Sequence, residues 1–301
     1  MDKLLTLLLA VVLDVLFGEP PEIIHPTVWF GKIVDFIRSR YVGRSNLSDA
    51  IFGILILLSV TSFAIIISCI FCLLHLEFYL LFTSISVRSM VEHAERTIDG
   101  GIVREEVRKI VSRDVKRLNE SQLCSAVIES VAENFVDGVF APLFYFTLFG
   151  VTGAVIYRAI NTCDAMVGYR CYGYLGTPCA RFDDILNFIP ARLSVLLFLM
   201  LNPRAIGVVR KYRRIKLNGG YPMSAMAGVL GVTLVKPGHY EIRAGRYPTV
   251  DDVRRAIRVY ITLCILAVIL YTLMNLPVES ITYLPNLGLI SGIVLCSTPI
   301  R

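Results

Sequence analysis

Residues 126–146, AVIESVAENFVDGVFAPLFYF, place three acids in an otherwise largely apolar stretch. Glu129, Glu133 and Asp137 are spaced four apart, so a helix aligns them along one side with a slow drift around its axis. The apolar residues between them recur at helical spacing and form a neighbouring stripe. Acids at this spacing repel one another unless a divalent cation or arginines lie between them. The pattern indicates a charged site or, alternatively, a solvated helix face with basic neighbours.

The rest of the chain is that of a membrane protein. Its 301 residues are 55% hydrophobic and only 18% charged, with a mean hydropathy of +0.65. Long apolar runs predict an all-α, polytopic integral membrane helical bundle with cytoplasmic amphipathic helices. With no low-complexity linker and no internal repeat, residues 1–301 are expected to form a single membrane domain. The predicted apolar spans are 50–73, 139–160, a helix from about Asp184 to 201, 259–275 and 281–299.

The basic residues predict the orientation. The net charge is +6, and arginine and lysine concentrate between the apolar spans. The positive-inside rule therefore places about 87–138, 161–184 and 202–258 on the cytoplasmic side of the cell membrane. Residues 103–118 carry an amphipathic stripe and predict one water-side helix, and Asn119 with Gln122 predicts the start of the acidic helix. Nucleic acid is not an expected partner, because the basic residues form no separate basic domain.

Two further polar stretches follow the acidic one. They are YRAINTCDAMVGYRCYGYLG at 157–176 and ARFDDILNFIPARL at 180–193. Asp183, Asp184 and Asn187 form a DDxxN pattern that puts Asp183 and Asn187 on one helix face, and Asn161 lies three residues before Asp164. Carboxylate and amide oxygens suit Mg²⁺ held jointly with phosphate oxygens, although an acid pair also stabilises a helix N-terminus. Arginines lie beside these acids, namely Arg158, Arg170, Arg181 and Arg192.

The N-terminal segment carries a separate acid. Residues 4–17 are apolar but too short to cross a bilayer upright, and the prolines of FGEPPEIIHP end the helix. Asp14 lies within this apolar helix, with His25 nearby, which indicates either a functional group or a structural pair with an arginine. The eight cysteines are scattered and predict no disulfide framework. Neither GxxxxGK[ST] nor GxGxxG occurs, so ATP or NAD is not held by those loops.

The long motifs resemble one known family. ESVAENFVDGVFAPLFY, YRAINTCDAMVGYR and ARFDDILNFIPARL are similar to the core of the CobD/CbiB family of cobalamin biosynthesis. The resemblance extends, in order, to DVLFGEPPEIIHP, SRDVKRLNES and NGGYPMSAMAGVLGV, and so covers most of the chain. The chain departs from the family at Lys216-Leu217, where Ser-Pro commonly precedes Asn218, and at Met223, where an acid commonly follows the proline.

The resemblance implies a reaction. The family is adenosylcobinamide-phosphate synthase, a multi-pass membrane enzyme that joins aminopropanol phosphate, or a related amino alcohol, to a propionate carboxyl of adenosylcobyric acid. The synthesis uses ATP as co-substrate and Mg²⁺ as cofactor. Phosphorylation of the carboxylate would create a leaving group, and a protein carboxylate could take the ammonium proton. The expected partners are these two substrates and the lipid bilayer, with a homo-oligomer as an open alternative.

The site residues are assigned as a hypothesis on that basis. Catalytic candidates, which hold Mg²⁺, act as base or orient the amine, are Glu129, Glu133, Asp137 and Asp164. Candidates for a second metal–phosphate group are Asp183, Asp184 and Asn187. Candidates for substrate binding are Asn134, Arg158, Asn161, Arg170, Arg181, Arg192 and His25.

Two other functions compete with this interpretation. NxxD with DDxxN resembles the magnesium–diphosphate arrangement of intramembrane prenyl or phosphatidyl-type transferases, which lack the ESxAEN core. Broken helices and intramembrane acids also occur in transporters, so a non-catalytic corrinoid transporter or binding protein is the third alternative. Turnover of a prenyl diphosphate, or vectorial uptake into sealed vesicles, would distinguish these two from the synthase.

Overall fold

The computed structural model describes residues 2–41, 43 and 45–275, and helices dominate this part of the chain. The twelve α-helices described are α1 Lys3–Phe17, α2 Pro26–Ser39, α3 Asn46–Leu73, α4 Glu77–Phe82, α5 Val87–Arg96, α6 Arg104–Ile110, α7 Glu120–Phe135, α8 Ala141–Val167, α9 Thr177–Leu201, α10 Ala205–Tyr212, α11 Gly220–Leu230 and α12 Val250–Met274. Two short antiparallel strands, β1 Leu234–Lys236 and β2 Tyr240–Ile242, form a hairpin between α11 and α12. The expected all-α membrane bundle is confirmed.

Within the part of the chain that the structure describes, four helical stretches are long and apolar enough to cross a membrane. They are α3, the joined α7–α8 stretch Glu120–Val167, α9 and α12. Large apolar side chains such as Leu58, Leu196 and Ile265 are more than half exposed on their outer faces, as expected of surfaces that lipid covers. The predicted span 281–299 lies outside the described residues. The cytoplasmic assignment of the basic segments stays a prediction from the positive-inside rule.

Helix α8 is a hairpin that folds back at Gly150. Gly150 has φ 68° and ψ −162°, a conformation that is essentially restricted to glycine. The rings of Tyr145 and Tyr157 stack with centroids 5.4 Å apart, whereas twelve residues of straight helix would separate them by about 18 Å. Asp137 precedes Gly150 by 13 residues and Asp164 follows it by 14. The reversal therefore brings these two acids to the same level of the bundle.

The start of α7 is as predicted, but the segment before it is not. Asn119 and Gln122 form a reciprocal capping box, which satisfies two backbone donors at the helix start. The single helix expected over 103–118 is wrong, because α6 ends at Ile110 and Val111 has extended backbone. The chain turns there so that the next residues reach α7, where the Ser130 hydroxyl donates to the carbonyl of Ile110 at 2.7 Å.

Helix α9 begins earlier than the sequence indicated. It starts at Thr177, with Pro178 in its first turn, where the missing N–H of proline costs no hydrogen bond. The expected start near Asp184 is therefore wrong, and Asp183 and Asp184 lie in the second turn rather than at the helix end. Cys163 of α8 and Cys179 of α9 form a disulfide with Cα atoms 5.8 Å apart, a pairing that the scattered cysteines had not predicted.

Asp14 holds the N-terminal segment against the rest of the bundle. Asp14 is 2% exposed, and its carboxylate accepts the backbone N–H of Arg88 at 3.1 Å, at the start of α5. The Arg88 guanidinium instead donates to the carbonyls of Val15 and Leu16 and to Glu92. Asp14 is thus tied to Arg88 through its backbone, and its carboxylate anchors α5 to α1.

Candidate functional site

An acidic cavity of about 200 Å³ lies where α8 ends and α9 begins. Its lining comes from the end of α7, the returning arm of α8, the first turns of α9 and the loop between α10 and α11. Five carboxylates line it, and they are Glu133, Asp137, Asp164, Asp183 and Asp184. The other polar side chains in the lining are Asn187, Lys216 and Asn218. The three polar stretches of the sequence therefore converge in one place.

Asp183 is positioned by two neutral amides. The side-chain N–H groups of Asn161 and Asn187 donate to its two carboxylate oxygens at 3.2 and 3.0 Å. The Asn187 carbonyl in turn accepts the hydroxyl of Tyr157 at 2.8 Å, and Tyr157 is fully buried. This chain of hydrogen bonds fixes the orientation of the carboxylate, which has no salt bridge to another described residue.

Lys216 is the one lysine or arginine in the cavity lining of the described chain. Its ammonium pairs with Glu133. Desolvation alone would lower the pKa of Lys216, but the charge of Glu133 and its hydrogen bond raise the pKa overall, so the lysine stays a cation. Two residues on, the Asn218 amide donates to the backbone carbonyl of Asp184 at 2.9 Å. The 216–218 loop is thereby attached to α9.

Glu129 lies apart from the cavity, one turn before Glu133. Its carboxylate is 2% exposed, pairs with Arg113 and accepts the hydroxyl of Tyr240 at 2.8 Å. Burial, followed by the neighbouring charge of Glu129, raises the pKa of Tyr240, so its hydroxyl remains a hydrogen-bond donor at neutral pH. Of the three acids spaced four apart, Glu133 and Asp137 line the cavity and Glu129 does not.

Three of the four candidate arginines, Arg158, Arg181 and Arg192, lie outside the cavity lining. Arg181 is largely exposed and approaches Asp184 at 3.8 Å. Arg192 stacks on the rings of Phe188 and Tyr221, with its guanidinium carbon 3.4 and 4.5 Å from the ring centroids, and donates to Asn218 at 3.3 Å. For the remaining two, the Nε of Arg158 is buried without a hydrogen-bond partner among the described residues, and the side chain of Arg170 lies outside what the structure describes.

Two other predicted binding residues have local partners instead. The Nδ1 of His25 accepts the backbone N–H of Thr27 at 3.3 Å and caps α2, and burial lowers the pKa of His25, which keeps this acceptor unprotonated. The side-chain carbonyl of Asn134 accepts the hydroxyl of Tyr260 at 3.2 Å, between α7 and α12. Neither residue lines the acidic cavity.

The donor atoms of the cavity fit a hard divalent cation. They are carboxylate oxygens with amide groups beside them, and one lysine faces five acids. Among the described residues, no three His, Cys, Asp or Glu side chains converge closely enough to hold a metal by themselves. Mg²⁺ commonly takes one or two carboxylates and completes its shell with water and substrate phosphate. The candidate ligands are therefore Asp183 and Asp184, with Asn187 orienting Asp183.

Two polar residues of the cavity lining, Lys216 and Asn218, have no site role in the sequence-based assignment. They lie in a basic segment that is predicted to be cytoplasmic and that departs from the resembled family's motif at Lys216. The signal was Asn218-Gly219-Gly220, because glycines permit close approach: a Cβ on Gly219 would lie 1.9 Å from an Oε1 atom of Glu133. The departure at Lys216 from the resembled family's motif therefore falls within the cavity itself.

The fold and the site together define a class of protein. It is a helical membrane protein with an acidic cavity at one end of its helix bundle. Comparison with known proteins identifies the family. The family model described as CobD/Cbib protein matches residues 7–276, and the chain belongs to this family.

The curated relatives match this chain in sequence over nearly their whole length. A "Probable cobalamin biosynthesis protein CobD" of Archaeoglobus fulgidus is 49% identical over 278 residues, covering 90% of this chain and 94% of its own. A protein of the same description from Thermococcus kodakarensis is 49% identical, covering 86% and 92%. The "Cobalamin biosynthesis protein CobD" of Dehalococcoides mccartyi is 36% identical, covering 84% and 89%. No solved structure matches the chain.

Proposed function

We propose that this protein of cobalamin biosynthesis is an amide-forming ligase. It joins aminopropanol phosphate, or a related amino alcohol, to a propionate carboxyl of adenosylcobyric acid with ATP as co-substrate. The observation that supports this most strongly is the convergence of five carboxylates and one lysine on a single cavity. Such a cavity suits a reaction in which an ammonium group loses its proton and phosphate is transferred.

The chemistry requires activation of the carboxylate. The propionate oxygen attacks the terminal phosphorus of ATP, which gives an acyl phosphate and ADP. A neutral amine then attacks the acyl carbon, the C–N bond forms, and inorganic phosphate leaves. Mg²⁺ held by Asp183 and Asp184 together with phosphate oxygens would offset negative charge during phosphoryl transfer.

The cavity residues divide into three roles. Asp137 and Asp164 line the cavity without a salt bridge among the described residues, so we assign them to accept the ammonium proton. Lys216 with Glu133 positions the anionic end of a substrate. Asn161 orients Asp183. We place the cavity on the cytoplasmic side, where ATP is available, because the loop that carries Lys216 belongs to a strongly basic segment.

Mass spectrometry of corrinoid products tests the proposal. Purified protein is incubated with adenosylcobyric acid, Mg-ATP and amino alcohols, each with and without a phosphate group. The expected product has the mass of the two substrates less one water, and it forms only with ATP while ADP accumulates. Absence of that product from folded protein, or turnover of a prenyl diphosphate instead, would overturn the assignment.

A further inference from the structure

A second, smaller cleft shares two residues with the acidic cavity. Glu133 and Lys216 line both, and the new cleft has a volume of about 90 Å³. Its other charged or phenolic side chains are Arg113, Glu129, Lys236 and Tyr240. The cations come from three separate parts of the chain: the segment after α6, the loop before α11, and strand β1. The packing of α7 against β1 gathers them.

The cleft contains more positive than negative charge. Arg113, Lys216 and Lys236 face the two acids Glu129 and Glu133. Burial, followed by the nearby charges of Arg113 and Lys216, lowers the pKa of Lys236. Cations that crowd one another in this way are stabilised when an anion binds between them.

Two buried atoms in the cleft lack partners. Within the described chain, neither Nη1 of Arg113 nor Oε1 of Glu129 has a hydrogen-bond partner. The same side chains are joined through their other polar atoms, Nη2 of Arg113 and Oε2 of Glu129. A buried polar group without a partner costs about 1–3 kcal/mol. A ligand that offers both an acceptor and a donor would remove both costs.

We propose that this cleft binds one phosphate monoester group, and that it takes the phosphate of the amino alcohol while the amine lies toward the acidic cavity. A phosphate monoester supplies acceptors for Arg113 and Lys236 and, as its monoanion, an O–H for Glu129. At about 90 Å³ the cleft has room for a phosphate group. The identity of the ligand rests on the proposed function, whereas the phosphate site does not.

Binding of inorganic phosphate to the full-length protein in detergent tests the site without turnover. The variant Lys236→Gln removes one cation, and Lys211→Gln is the matched control. Both ammonium groups lie over a tyrosine ring, at 5.9 Å for Lys236 and 5.1 Å for Lys211. Equilibrium dialysis with labelled phosphate should show saturable binding that Lys236→Gln weakens by about tenfold and that Lys211→Gln leaves unchanged. Equal binding by Lys236→Gln, equal loss in both variants, or no saturable binding would overturn the site.

Competition identifies the source of the phosphate. An amino alcohol phosphate should displace labelled phosphate at one equivalent, whereas the unphosphorylated amino alcohol and Mg-ATP should not. Displacement by Mg-ATP alone would overturn the assignment to the amino alcohol. In the amide-forming assay, Lys236→Gln should raise the KM for the phosphorylated amino alcohol about tenfold and leave the KM for Mg-ATP unchanged. Phosphate binding without any amide product would contradict the proposed function and leave the phosphate site standing.

Discussion

Asp252 and Asp183 are both carboxylates near the start of a long helix, and they are held in opposite ways. Asp252 is fully buried and accepts from Arg246 at 2.6 and 3.0 Å, from Arg255 at 3.0 Å and from the backbone N–H of Thr249 at 2.9 Å. Among the described residues, Asp183 accepts hydrogen bonds only from neutral amides. Where a carboxylate serves the fold, cations of the protein neutralise it. Where none does so, the charge remains available to a ligand.

The largest expected effect is on catalysis, from Asp183→Asn. The substitution keeps the shape of the side chain and removes the charge that we assign to the metal and phosphate. Amide formation should fall by more than about 1,000-fold, while the thermal unfolding midpoint in detergent changes little. Initial rates of product formation, with melting followed by circular dichroism, measure both quantities.

Asp251→Asn is the control for this prediction. Asp251 lies on α12, is largely exposed, and pairs with Arg254 at 2.6 Å. Because a surface pair contributes little, this variant should retain full activity. Turnover by Asp183→Asn close to that of the unmodified protein would remove Asp183 from the site.

Asp14 is an intermediate case, since it is buried and has a backbone N–H rather than a cation as its partner. Burial raises the pKa of Asp14 from 3.8 to about 6. The carboxyl therefore contributes stability that is fully present below about pH 4 and is lost as the pH rises through about 6. Relative to the unmodified protein, Asp14→Asn should gain about 3 kcal/mol in free energy of unfolding between pH 4 and pH 7.

Denaturant unfolding of both proteins in detergent at several pH values measures this gain. The difference between the two proteins is the relevant quantity, because all other titrating groups are common to both. A difference that does not change with pH would show that Asp14 titrates in the folded protein as it does in the unfolded one.

Removal of the Asp252 carboxylate should lower the stability of the fold and leave the rate of amide formation unchanged. Asp252→Ala loses the capping box of α12 and its bonds to two arginines, so the free energy of unfolding should fall by about 2 kcal/mol. Because these arginines are half exposed, water replaces part of the hydrogen bonding that they lose with the carboxylate. The rate of amide formation per folded molecule should not change. A drop in that rate with unchanged stability would contradict the contrast with Asp183.

The sequence predicts those features of the fold and the site that depend on local pattern. Apolar runs located the long helices α3 and α12. Asn119 with Gln122 identified the start of α7, and helical spacing grouped Asp183 with Asn187. The helix-breaking residues Pro142, Gly150 and Gly153 lie within the predicted span 139–160, and the structure shows a reversal at Gly150. The meeting of Asp137 with Asp164 was not predictable, because it depends on the chain folding back rather than continuing.

Local pattern also grouped acids that the structure separates. Four residues along a helix advance it by about 6 Å and turn it by about 40°, so Glu129 lies about 12 Å from the level of Asp137. A π-helical turn over Val136–Phe140 changes the direction of Asp137 further. Glu129 instead meets Arg113 and Tyr240. These partners come from distant parts of the chain that only tertiary packing brings together, and no spacing rule would have found them.

The smallest effect is expected from Tyr157→Phe, which tests whether the amides that hold Asp183 matter to catalysis. The lost hydroxyl leaves the Asn187 carbonyl without its donor, so stability should fall by about 1 kcal/mol and turnover by about three- to tenfold. Tyr145→Phe is the matched control. Its ring stacks on that of Tyr157, but its hydroxyl donates to the backbone carbonyl of Leu186 at 2.9 Å.

A double-mutant cycle separates positioning from a general loss of packing. If Tyr157 acts on Asp183 through Asn187, then Tyr157→Phe should lower turnover in the unmodified protein and have no further effect in Asn187→Ala. Tyr145→Phe should cost similar stability and leave turnover unchanged in both backgrounds. Equal losses of turnover from the two tyrosine variants would mean that the aromatic stack, rather than the hydrogen bonds to Asp183, sets the activity. The difference between Asp183, which amides hold, and Asp252, which arginines hold, would then not explain the activity.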